Sequence, residues 1–118
     1  MQKTPHGFDW DQLRVFLAVV RAGQFLGAAR RLGVDQATVT RRVSALETAL
    51  GVRLFDRQTT GSVPTAAGRE LVERAERIEA VRSEPHFARI LSETGISFVR
   101  GVRVHMDFDE EQFVGGGV

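Results

Sequence analysis

The chain has 118 residues and is 42% hydrophobic, which suits one small domain with a modest core and a tail. It contains no cysteine, which excludes disulfide scaffolds, thiolate zinc sites and thiol nucleophiles and fits a reducing cytoplasm. No apolar stretch is long enough to span a bilayer, and residues 1–7 lack the apolar core of a signal peptide. We therefore expect a cytoplasmic protein that has no membrane partner.

The net charge of +1 conceals an uneven distribution along the chain. Residues 12–60 contain eight arginines and three acidic residues, whereas the chain from residue 84 onward contains three arginines and six acidic residues. A basic front half favours a polyanionic partner such as nucleic acid. An ordinary solvated surface explains the charges alone equally well.

The first two elements along the chain are predicted to be helices. Asp9 is the expected N-cap of the first helix, with Gln12 completing a capping box, and Gly23 ends that helix. A short second helix covers about 26–32 and ends at Gly33.

A third helix, 36–50, is predicted to begin at the N-cap Asp35 after a link of only two residues. Apolar residues recur along it at helical spacing and form the ridge expected to face the core: Val39, Val43, Leu46 and Leu50. Two helices joined by such a tight turn are typical of a helix-turn-helix, here at about 25–44.

The next segment, 52–63, has two short apolar pieces around a polar turn and predicts a β-hairpin, or wing. Thr65 is the expected cap of a fourth helix, about 66–83, which Pro85 ends. The predicted fold is mainly α, a winged helix-turn-helix with a three-helix core, a small hairpin and a C-terminal linker helix.

The corresponding domain division is 8–65 for the winged helix-turn-helix, 66–84 for the linker or dimerisation helix and 85–118 for an unassigned tail. In that tail, 87–91 suggests one or two helical turns. Residues 96–108 alternate loosely in hydropathy, which indicates a strand or hairpin.

The side of the third helix opposite the ridge has the chemistry of DNA reading. Glutamine can bond adenine in two places, arginine can bond guanine in two places, and alanine or threonine methyls can contact the thymine methyl. The candidate contacts on the first two turns are Gln36, Ala37, Thr38, Thr40, Arg41 and Arg42. Further candidates for the backbone or minor groove are Arg30, Arg31, Arg57 and Gln58. Each of these is also an ordinary surface residue of a helical protein, and the same fold serves protein–protein contact; their coincidence in one register favours double-stranded DNA.

The fourth helix carries an apolar stripe at coiled-coil-like spacing: Leu71, Ala75 and Ile78. A dimer through this stripe would place two recognition helices on successive major grooves, about 34 Å apart. The alternative is packing against the chain's own core. We favour the homodimer or a higher homo-oligomer, because a lone helix-turn-helix rarely offers enough interface for specific affinity.

An enzyme is not expected. The three histidines, His6, His86 and His105, are widely spaced, and no paired carboxylates, nucleophile elbow or phosphate loop accompanies them. We predict no catalytic residue, no metal ligand and no cofactor, and the acidic C-terminal end is interpreted as solvated surface.

Six runs of residues between Trp10 and Gly68 resemble, in order and without gaps, the N-terminal DNA-binding domain of LysR-type transcriptional regulators: 13–19, 28–34, 36–43, 46–47, 50–57 and 65–68. The resemblance implies a winged helix-turn-helix that binds promoter DNA as a dimer or tetramer. It also implies groove or backbone contacts by Gln36, Thr38, Thr40, Arg41 and Arg42, a wing contact by Arg57, and a dimerising linker helix at 70–83.

The chain departs from that family at several positions. Leu26 stands where the family has a capping serine or threonine, Asp35 replaces a common serine and Ala37 a common proline. Members continue into an effector-binding domain of about two hundred residues, far larger than the tail that follows residue 84 here. A small-molecule effector is therefore unsupported. The alternative function is an interaction protein that forms heterodimers with full-length relatives through its linker helix.

Overall fold

The computed structural model describes residues 9–58 and 61–98. Within this part of the chain lie α1 (Trp10–Ala22), α2 (Phe25–Leu32), α3 (Gln36–Leu50), β1 (Phe55–Gln58), β2 (Gly61–Pro64), α4 (Ala66–Ala80) and α5 (87–98). The predicted mainly α, winged helix-turn-helix fold is confirmed.

The predicted helix caps form, with one exception. The Asp9 carboxylate accepts a hydrogen bond from the Gln12 backbone N–H at 3.0 Å, and the Thr65 hydroxyl accepts one from the Gly68 N–H at 3.0 Å. The reciprocal half of the first capping box is absent, because the Gln12 Oε1 atom is buried and finds no hydrogen-bond partner in the described chain. The Asp9 side chain therefore caps the start of α1 without a reciprocal bond from the Gln12 side chain.

Helix α2 begins one residue earlier than predicted. Its N-cap is Gln24, whose side chain makes no capping hydrogen bond, and Leu26 lies inside the first turn with 42% of its surface exposed. The expectation that Leu26 replaces a cap is therefore wrong, because the cap position lies two residues before it.

An aromatic cluster joins the wing to the helices. The ring of Phe55 on β1 lies 5.4 Å from that of Phe16 on α1 and 5.7 Å from that of Phe25 on α2, centroid to centroid. At the outer strand, the Ser62 N–H donates to the Gly23 carbonyl at 3.0 Å. The hairpin, in which Phe55 pairs with Pro64 and Gln58 with Gly61, is thus fixed against the turn between α1 and α2.

The C-terminal part differs most from the prediction. Helix α4 ends at Ala80 instead of about residue 83, and residues 87–98 form one continuous helix. The strand predicted from Ile96 is wrong as far as Phe98, because Leu91 and Phe98, seven residues apart, are buried on one helical face. The rest of that predicted strand lies outside the described residues.

Helix α5 runs back along α4 and reaches the start of α1. The Phe87 ring meets the Trp10 ring edge-on, with 5.9 Å between centroids. The Arg82 guanidinium carbon lies 5.2 Å from the Trp10 ring centroid, and that of Arg74 lies 5.5 Å from the Phe98 centroid. These contacts make α5 part of the folded unit.

An ion pair holds α4 against α1. The Arg21 guanidinium donates to both carboxylate oxygens of Glu79, at 2.8 and 3.0 Å. This hydrogen bonding lowers the pKa of Glu79 and raises that of Arg21. Both side chains are more than one-third exposed, so the pair contributes no more than about 1 kcal/mol, and most of the α1–α4 attachment is apolar packing.

Close approach between α4 and the segment before β1 predicts an effect of substitution at Gly68. A Cβ atom there would collide with the carbonyl oxygen of Leu54. We expect Gly68→Ala to lower the free energy of unfolding by about 1–3 kcal/mol, although alanine favours helix more than glycine.

Urea unfolding followed by circular dichroism measures the change. The matched control is Gly27→Ala on α2, where the new Cβ would lie 3.2 Å from the Ala22 methyl, 3.8 Å from the Gln24 Cγ and 4.0 Å from the Ala22 carbonyl oxygen. None of these contacts is as close as the one at Gly68, so a smaller loss of stability is expected. Equal stability of Gly68→Ala and the unchanged chain would contradict the packing described here.

Candidate nucleic-acid interface

The turn between α2 and α3 is as short as the sequence predicts. Gly33 ends α2 with a φ of 70°, and the Val34 N–H donates back to the Ala29 carbonyl at 3.1 Å. Asp35 then caps α3 at once. Such a link leaves little freedom in the angle between the two helices, which both pack on α1.

The apolar ridge of α3 is confirmed. Each of its four residues is at most 3% exposed: Val39, Val43, Leu46 and Leu50. Away from the ridge lie three exposed residues, Gln36, Ala37 and Arg41, and three half-buried residues, Thr38, Thr40 and Arg42. All six candidate contacts on this helix therefore reach the surface, as a docking helix requires.

The far end of α3 is fixed to the wing. The Glu47 carboxylate, one turn from the end of the helix, accepts a hydrogen bond from the Leu54 N–H at 2.8 Å. Leu54 itself is fully buried and leads directly into β1. This bond therefore fixes the position of the wing relative to α3.

A negative charge sits at the N-terminus of α3. The Asp35 carboxylate accepts from the Thr38 N–H at 2.7 Å. The pKa of Asp35 is lowered, chiefly by hydrogen bonding with the side chain and backbone of Thr38 and less by the nearby Arg41 charge. The carboxylate is therefore ionised at neutral pH, and it opposes the attraction that a helix N-terminus exerts on phosphate.

The two adjacent arginines of α3 have different surroundings. The Arg41 guanidinium donates to the Thr38 hydroxyl at 3.3 Å, one turn back along the same helix. The Arg42 guanidinium instead lies 2.7 Å from a carboxylate oxygen of Asp11 on α1, and the other oxygen of Asp11 accepts from Arg14 at 2.8 Å. Arg41 is directed along α3, and Arg42 across to α1.

The sequence reasoning missed Asp11 and Arg14. Their spacing of three residues on a predicted helix is the local signal that could have revealed this pair. The contact between Asp11 and Arg42 joins two different helices, so no local sequence pattern reveals it.

The remaining predicted DNA contacts are less defined. Arg30 and Arg31 are exposed at the end of α2. The backbones of Arg57 and Gln58 pair in β1, but their side chains lie outside the described part of the structure. Their contact with DNA stays a prediction.

The stripe predicted for dimerisation is in the chain's own core. Leu71, Ala75 and Ile78 are at most 1% exposed. The alternative prediction, packing against the chain's own core, therefore applies to these three residues, because a second chain cannot contact side chains that are already buried. The error arose because the sequence does not show which partner buries an apolar stripe.

Among residues 9–58 and 61–98, no cluster of three or more histidine, cysteine, aspartate or glutamate side chains is placed to hold a metal ion. No helix within these ranges has both the length and the apolar character needed to cross a membrane. His6, His105 and the acidic C-terminal end lie outside the described residues.

Comparison with known proteins identifies the family. Residues 10–69 match the sequence pattern described as bacterial regulatory helix-turn-helix protein, lysR family. The match covers half of the chain. The chain belongs to the LysR family.

Relatives in this family are transcriptional regulators. The chain is 38% identical over 103 residues to the HTH-type transcriptional regulator ClcR of Pseudomonas putida, a match that covers 82% of this chain and 35% of ClcR. It is 46% identical over 70 residues to TcbR of Pseudomonas sp. (strain P51), covering 59% of this chain and 24% of TcbR. The chain thus spans 35% of the length of ClcR and 24% of the length of TcbR.

Solved LysR-family structures share the fold. The DNA-binding domain of CbnR in a complex with DNA has a TM-score of 0.62 and 43% identity, covering 64% of this chain and 86% of that chain. The BenM DNA-binding domain, in a complex with catB site 1 DNA, has a TM-score of 0.62 and 28% identity, covering 64% of this chain and 85% of that chain.

The lowered pKa of Asp35 predicts a pH-dependent contribution to stability. A depressed pKa means that the ionised cap stabilises the folded state above the unfolded pKa, and that this stability is lost as the pH falls through the folded pKa. We expect the difference in unfolding free energy between the unchanged chain and Asp35→Ala to shrink from neutral pH to about pH 3.

The control for this prediction is Thr65→Ala, which removes an N-cap that has no titratable group. Its effect on the unfolding free energy, measured by urea denaturation, should be the same at both pH values. An Asp35→Ala effect that stays constant with pH would show that the carboxylate charge is not what stabilises the start of α3.

Proposed function

We propose that the chain is a sequence-specific DNA-binding transcriptional regulator whose helix α3 enters the major groove. One observation carries the proposal: the face of α3 opposite the buried ridge is polar, basic and at the surface. An α-helix fits the major groove, where each base pair shows a distinct pattern of donors and acceptors. The DNA complexes among the structurally similar LysR-family domains support the same role.

Within this face, we assign base reading to the exposed residues on the first two turns. Gln36 and Arg41 can each make paired hydrogen bonds, to adenine and guanine respectively, and Ala37 offers a methyl contact to thymine. Thr38 and Thr40 are half-buried and suit shorter contacts to phosphate or base edges. Arg30 and Arg31, exposed on α2, suit phosphate contacts on the groove edge.

We further propose that two chains bind one DNA site. A single winged helix-turn-helix covers too little DNA for strong specific affinity, so a second copy on the next major groove adds the missing contacts. Since Leu71, Ala75 and Ile78 are buried, the chains would meet through the outward face of α4. The mass of the protein–DNA complex tests whether two chains bind one site. A mass that corresponds to one chain per duplex would contradict the dimer and leave the DNA-binding proposal standing.

The alternative, pairing with longer relatives through the linker helix, has weaker support. It requires the same three apolar side chains, which the chain's own core already covers. A DNA partner also implies the cytoplasm as the location.

Salt dependence and sequence preference test the DNA-binding function together. Duplexes selected from random DNA should bind with log K falling by about 0.9 per phosphate neutralised as log salt concentration rises. Arg41→Ala should cost about 1–3 kcal/mol of binding free energy and relax the preference at one base pair, because a paired guanine contact is lost.

The control is Arg89→Ala, which removes the same charge from an exposed position on α5. It should leave the base preference unchanged. A flat salt dependence of the unchanged chain would contradict DNA binding, and an Arg41→Ala loss that is equal on every sequence would restrict Arg41 to a phosphate contact.

A further inference from the structure

One acidic side chain stands between two arginines at the edge of the proposed DNA-binding surface. Asp11, in the first turn of α1, binds Arg14 through Oδ1 and Arg42 through Oδ2. The carboxylate is 48% exposed, and the two guanidinium-bearing side chains are 36% and 37% exposed. The cluster therefore lies open to solvent where α1 meets α3.

This contact gives Arg42 a definite direction. Its guanidinium extends toward α1, so this group lies to the side of α3 and not along the face that carries Arg41. From there it lies at the groove edge beside the sugar-phosphate backbone, where Asp11 competes with phosphate for its guanidinium, while Arg41 points to the bases. A phosphate bound by Arg42 would lie well within the Debye length of about 10 Å from Asp11, so salt would screen little of their repulsion.

We propose that Asp11 is a positioning residue that holds Arg42 at the α1–α3 edge and restrains its charge, which weakens the sequence-independent attraction to DNA. The inference rests on the proposed function and adds a residue to it. Asp11 touches no DNA itself. It determines how much positive charge Arg42 and Arg14 offer to the backbone.

The test compares variants of the full chain on a selected duplex and on a scrambled duplex of equal length. In Asp11→Asn, Arg42 is released and gains one phosphate contact. Affinity should then rise roughly eightfold at about 0.1 M salt on both duplexes, and the slope of log K against log salt should steepen by about 0.9. Asp11→Glu keeps the charge and should retain the original slope.

Two further variants separate this effect from a general change in charge. Glu93→Gln alters the net charge equally, but its ion pair with Arg89 lies on α5, so the salt slope should not change. Adding Arg42→Ala to Asp11→Asn should cancel most of the gain in affinity, because Arg42 is the residue released.

The outcomes are distinct. An unchanged slope in Asp11→Asn, or an equal steepening in Glu93→Gln, would overturn the role of Asp11 and leave DNA binding standing. Absence of salt-dependent binding by the unchanged chain would instead overturn the proposed function. A gain in affinity that survives removal of Arg42 would show that Asp11 does not act through that residue.

Discussion

The apolar ridge of α3 packs into the core that this helix forms with α1 and α2, and the surface of the molecule follows from that contact. Because the ridge is buried, helical geometry determines which side chains point the other way. The Asp35 cap fixes the start of the helix, and the bond from Glu47 to Leu54 fixes its end. The fold itself thus holds the polar face in a defined orientation, which reduces the ordering needed on binding.

Acidic residues reduce the net positive charge around this face. Asp35 lies beside Arg41 at the start of α3, and Asp11 holds Arg42 at the edge. Attraction to the phosphate backbone is independent of sequence, whereas contacts to base edges discriminate between sites. Under the proposed function, a surface that limits the attraction to phosphate while it exposes Gln36 and Arg41 favours selective binding over strong indiscriminate binding.

Local signals predicted most of the fold. Asp9, Asp35 and Thr65 cap their helices as expected, and the ridge of α3 was readable from its spacing. Tertiary contacts could not be predicted in this way. The burial of the α4 stripe and the Asp11–Arg42 pair depend on which elements meet. Of α5, only the first turns at 87–91 were predicted as helix, because the apolar residues from Ile96 onward also fit a loose strand pattern.

Backbone amide chemical shifts, measured by NMR as a selected duplex is added, test the central claim most directly. If the outer face of α3 enters the groove, the largest shifts should fall on residues 36–42, with smaller ones near the end of α2. Shifts concentrated in α4 and α5, with residues 36–42 unmoved, would contradict the placement of DNA on this face.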